Sequence, residues 1–132
     1  MAEPTSNPLA ALRTAAEAVR QQLHVPAFDA AAVQRLAEFI ETQRSIVTDA
    51  DRQGVITALG CFLGQCLVDV YGGEWAQGPD GATGVGVRQR HFYNPFYRVA
   101  QQLAHGEAES VAVFFAEVAV QLENPGRRQW IS

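Results

Sequence analysis

The sequence predicts an α+β fold in a single domain, 1–132: about five helices around a central buried helix at 49–71, with a small antiparallel hairpin at about 74–77 and 83–92. Three observations predict it. Residues 55–73 would be apolar on nearly every side of a helix, which only surrounding protein or lipid can satisfy. Four other stretches carry one apolar stripe at helical spacing. Between residues 74 and 92 the period shortens and glycine-rich turn residues intervene.

The first helix starts at Asn7-Pro8, a cap followed by a residue that fits the first turn without losing a needed donor. Leu9, Leu12, Ala16, Val19 and Leu23 form its stripe, and His24-Val25-Pro26 ends it. Residues 1–6 carry no such pattern and read as disordered. A second helix runs from Asp29 to about residue 44 on Val33, Leu36, Phe39 and Ile40, with Phe28 placed to staple onto Val33. Thr48 and Asp51 make a capping box for the central helix, which Gly72-Gly73 stops.

Within that helix Gly60 and Gly64 lie one turn apart and, with Thr57, leave a groove that another backbone can approach. Each glycine loses about 1 kcal/mol of helix propensity against alanine, so a close contact must offset it. Gln65 and Asp69 share a face, either bordering solvent or forming a buried polar pair that needs partners.

Glu74–Gln77 then reads as a strand, Gly78-Pro79-Asp80-Gly81 as a turn and Thr83–Phe92 as the returning strand. Val85 and Val87 face inward, with Gly84, Gly86, Arg88 and Arg90 opposite. Gly84 and Gly86 mark a bulge or a place where something passes close by. Asn94-Pro95 starts a short fourth helix on Phe96, Val99, Ala100 and Leu103, ended by Gly106. Val111, Phe114, Phe115, Val118 and Leu122 carry a fifth, closed by Asn124-Pro125-Gly126. Trp130 and Ile131 in the tail are expected to dock.

Composition narrows the function classes. With 48% hydrophobic residues the chain can bury one continuous core, and its net charge of −4 argues against a general nucleic-acid binder. The apolar run falls short of the roughly 20 residues a membrane span needs and contains Gln65 and Asp69. The first residues carry an acid and two prolines where a secretory leader needs a basic region and an apolar core. The expected location is therefore the cytoplasm. Cys61 and Cys66 lie roughly 140° apart around the helix and cannot bridge each other, which fits a reducing compartment.

Metal and cofactor chemistry find no support. Three dispersed histidines and two cysteines five apart give no tetrahedral ligand spacing, so no metal is expected. Gly81 to Gly86 lacks the downstream lysine of a phosphate-cradling loop, and no cofactor is expected. A cysteine nucleophile would need His91 folded back over the helix. Asp69 or Glu74, at the end of a buried helix beside Trp75, suits acid–base work or, more simply, a structural ion pair.

Charge distribution is more informative than its total. All ten basic residues are arginine, and no acid stands between Asp80 and Glu107, where Arg88, Arg90, Arg98, His91 and His105 fall. A basic segment on an acidic body attracts an anion or an acidic surface. Trp75, Arg88, Arg90, His91, Phe92, Tyr93, Tyr97 and Arg98 gather on the hairpin and the next helix start, and such side chains dominate interaction hot spots. The structural alternative is that the aromatics pin the hairpin onto the helices and the arginines pair internally.

Leu59-Gly60-Cys61-Phe62-Leu63-Gly64-Gln65, Tyr71-Gly72-Gly73-Glu74-Trp75 and Asn94-Pro95-Phe96-Tyr97-Arg98-Val99 together resemble a family of small bacterial domains of unknown function. In these an LGxxLG helix leads to a GGxW turn, a hairpin and a PF.KV helix, then a glycine and acidic residues, the place of Gly106 to Ser110. The likeness covers roughly residues 48–122, with Gln65 and Arg98 where glutamate and lysine are more usual. It implies a fold and a bacterial cytosolic setting, and it brings no catalytic residues.

The expected function is a non-enzymatic bacterial interaction protein, of adaptor or immunity type, presenting Trp75, Arg88, Arg90, His91, Tyr93 and Tyr97 to an acidic protein partner. The alternative is a small-molecule binder or enzyme with a pocket between Gln65, Asp69 and His91. A homodimer built on the tail or the hairpin edge is a third arrangement. No nucleic-acid or membrane partner is expected.

Overall fold

A computed structural model describes residues 8–78 and 80–123. Asn7, the first six residues, Pro79 and the tail bearing Trp130 and Ile131 lie outside the described residues. The order is α1 (Pro8–Leu23), α2 (Ala30–Arg44), α3 (Asp49–Tyr71), β1 (Glu74–Gln77), β2 (Thr83–Val87), β3 (His91–Tyr93), α4 (Pro95–His105), a short 3₁₀ turn (Gly106–Glu109) and α5 (Val111–Glu123). Five helices and a small antiparallel sheet make this an α+β fold.

The caps explain where the helices start. The Asp29 carboxylate accepts the Ala32 N–H at 2.9 Å, and Asn94 Oδ1 accepts that of Tyr97 at 3.0 Å. Thr48 Oγ1 accepts the Asp51 N–H at 3.2 Å and donates to its carboxylate at 3.0 Å. Gly72, at φ +75°, ends α3 in the left-handed conformation that glycine adopts without strain.

Every residue of α3 from Leu59 to Leu67 is buried, with α1, α2, α4 and the sheet packed around it. Phe62, Leu63, Cys66 and Leu67 are fully enclosed, and the Phe28 ring meets that of Phe62 at 5.4 Å. One expectation changes here: α3 has 23 residues and is, by length and composition, long and apolar enough to cross a membrane. Over its most apolar window 56% is buried inside the fold, as a core helix requires.

The returning strand differs from the sequence expectation. It breaks into β2 and β3, giving a three-stranded meander in the order β1-β2-β3. The chain reverses at Arg88–Arg90, where Arg88 and Gln89 both have φ +58° and the Arg90 N–H donates to the Val87 carbonyl at 3.2 Å. Hairpin turns with two positive φ values are usually filled by Asn-Gly, so two long side chains there give no turn signal in the sequence.

Register follows the pleat. Trp75 stands opposite Val85, which stands opposite Tyr93, and Val87 faces His91. Val85 and Val87 are fully buried in the core. Glu74, Ala76, Gly84, Gly86 and Phe92 take the other face. The Tyr93 carbonyl oxygen and the Phe92 ring lie where a β-carbon on Gly84 would stand, which is why glycine occupies that strand position.

The groove on α3 is filled otherwise than expected. No backbone enters it: the Phe96 ring covers Gly60, and the Trp75 indole covers Gly64. The two rings sit 6.1 Å apart, so α4 and β1 are seated on α3 by neighbouring aromatics.

Candidate functional site

The sheet and the start of α4 carry all six residues singled out for binding, but the fold divides them. Trp75 is half-buried against α3, and its Nε1–H points to Gln65 Oε1 at 3.4 Å, a long bond. Gln65, only 8% exposed, donates in turn to the Asp69 carboxylate at 2.9 Å. This chain satisfies a buried amide and fixes the indole.

Tyr93 turns toward α5. Its hydroxyl donates to Gln121 Oε1 at 2.7 Å, and its ring meets Phe114 edge-on at 5.7 Å. The His91 ring stacks on Tyr93 at 6.1 Å, and the Arg98 guanidinium lies 4.6 Å over the Phe114 ring. Arg88 Nη1 donates to the Leu122 carbonyl at 3.1 Å, capping the C-terminal end of α5 with a cation where the helix dipole is negative. Thus Trp75 and Tyr93 pin the sheet onto the helices as the structural alternative supposed, whereas Arg98 lies over a ring and Arg88 bonds a backbone oxygen rather than a carboxylate.

What remains outward is the turn, with exposed Arg88, Gln89 and Arg90, and Tyr97, which is 53% exposed. Gln89 was not singled out from the sequence. Its role follows from the left-handed backbone that holds the turn away from the core, and no residue pattern announces that geometry.

The residues of the alternative pocket lie on two elements, α3 and β3. Gln65 bonds Asp69 and accepts from Trp75 on β1, whereas His91 lies on β3, two strands across the sheet. A depression of about 460 Å³ opens instead on the outer sheet face, lined by Gly72, Glu74, Ala76, Gly86, Arg88 and Gln89. Between α1, α2 and α3 a cleft of about 450 Å³ exposes Ile46 and Phe39, and one of about 370 Å³ gathers Glu38, Glu41 and Glu107.

Nucleophilic cysteine chemistry is disfavoured. Burial pushes the Cys61 thiol up, and it pushes Cys66 up further, with the charges of Asp29 and Asp69 adding to the effect. Among the described residues no group of three or more His, Cys, Asp or Glu side chains could hold a metal ion.

No family model, curated protein or solved structure matches this chain.

Proposed function

We propose that the protein is a non-enzymatic bacterial interaction protein, of adaptor or immunity type, acting in the cytoplasm and offering the Arg88–Arg90 turn and Tyr97 to an acidic partner. The observation that carries this reading is the backbone of the turn. Two consecutive non-glycine residues, Arg88 and Gln89, hold φ +58° at about 1–2 kcal/mol each, in a turn whose Arg88 and Arg90 are exposed on an otherwise acidic chain. Arginine and tyrosine suit a contact surface because they combine area with directed hydrogen bonds. The likeness of residues 48–122 to small bacterial domains supports the bacterial, cytosolic setting.

The test is retention on immobilised poly-glutamate against poly-lysine peptides across a salt series. The protein is expected to bind the acidic peptide and release it as salt screens the charges. Arg90→Glu with Tyr97→Ala, both at exposed positions, should abolish retention while a cooperative unfolding transition is kept. Equal retention on both peptides, or an unaffected double variant, would overturn the reading.

A further inference from the structure

The outer sheet face has features that a partner surface does not require. Its depression of about 460 Å³ has an anionic wall at Glu74, a cationic wall at Arg88, and a floor of Ala76, Gly86 and Gly72. Glu74 stands directly opposite Gly86, and Arg88 follows Gly86 by two residues, so the charges flank one bare stretch of strand. Among the described residues no ion pair joins Glu74 to Arg88.

The floor is open. A β-carbon on Gly72 would meet nothing within 4 Å, and one on Gly86 would meet only the His91 carbonyl, at 3.9 Å. Glycine at position 86 is therefore not demanded by packing, unlike Gly84 beside it, which Phe92 covers. Glycine interrupts a strand at a cost, and a close-lying ligand is one reason to keep it there. Arg88 lines the depression, and with Nη1 on the Leu122 carbonyl its other guanidinium donors are left to engage an anion.

We propose that this depression binds a free α-amino acid, its carboxylate on Arg88, its ammonium on Glu74 and its body over the peptide planes of Gly72 and Gly86. This site shares Arg88 with the turn read above as a partner surface but does not rest on that reading, and Arg90 and Tyr97 play no part in it.

The test is an amide NMR titration of the whole chain with L-alanine, L-glutamate and L-lysine, with acetate and methylammonium as half-ligands. Saturable shifts at Gly72, Ala76 and Gly86 are expected with an amino acid, and weaker ones with either half-ligand. Gly86→Val fills the floor and should abolish the shifts while the melting temperature is kept. Glu74→Gln and Arg88→Gln should each weaken binding about tenfold, the usual consequence of losing one charge-assisted hydrogen bond. Saturable shifts that survive Gly86→Val, shifts equal for acetate and amino acid, or no saturable shift with any of the three would overturn the proposal.

Discussion

The indole of Trp75 occupies the space where a β-carbon on Gly64 would stand. With the bond from Trp75 to Gln65, this contact joins the central helix to the first strand, so the sheet is seated where α3 has no side chain of its own. One turn earlier Phe96 does the same over Gly60.

Alanine scanning of α3 glycines should therefore split by sign. Gly60→Ala and Gly64→Ala gain about 1 kcal/mol of helix propensity but drive a methyl into an aromatic ring, an overpacking cost of about 1–3 kcal/mol, so both should destabilise. Gly54, in the same helix, has nothing within 4 Å of its would-be β-carbon, and Gly54→Ala should stabilise by up to about 1 kcal/mol. Urea unfolding of the three variants checks this, and a stabilised Gly64→Ala would contradict the packing.

Gln102 is fully buried and ties three helices together. Its Nε2 donates to the Ala37 carbonyl at 3.1 Å and to Glu41 at 2.8 Å, and its Oε1 accepts the Val111 N–H at 2.9 Å. Gln102→Leu keeps the volume but strands a buried N–H at the start of α5. A loss of about 2 kcal/mol or more is expected by denaturant unfolding.

The Arg88–Gln89 turn stores strain that glycine would relieve. Gln89→Gly should raise stability by about 1 kcal/mol, because the left-handed backbone no longer crowds a β-carbon. An unchanged or lower melting temperature would mean that the Gln89 side chain contributes more than its backbone costs.

Glu17 accepts hydrogen bonds from Arg20 at 2.9 and 2.5 Å and from Gln21 at 3.1 Å, and these hold its carboxyl down to about 2. Folding thus favours the ionised form. The contribution is present above about pH 4.5 and is lost as the pH falls toward about 2. The pair lies at the surface, so the effect is small. A side-chain NMR titration should find Glu17 titrating well below the usual glutamate range, and Arg20→Gln should move it back up.

The helices were legible because each carries its own instructions in a short window. Asp29, Thr48 and Asn94 cap as their spacing indicates, and the stripes of Val33, Leu36 and Ile40 or of Val111, Phe114, Phe115 and Val118 face the core as a period of 3.6 requires. The burial of α3 followed from having no polar side to expose. The inward alternation of Val85 and Val87 was readable for the same local reason.

What the amino-acid order alone determined, then, is which segments are helical, which side of each is apolar, and that α3 lies at the centre. Only the tertiary structure decided that Trp75 and Phe96 fill the glycine groove, that the strand breaks at Arg88–Gln89, and that Arg88 reaches Leu122 while Tyr93 reaches Gln121. Capping and periodicity act over a few neighbouring residues. Those contacts join positions 11 to 36 residues apart, and the turn survives its strain only because the packing on both sides of it outweighs the local preference.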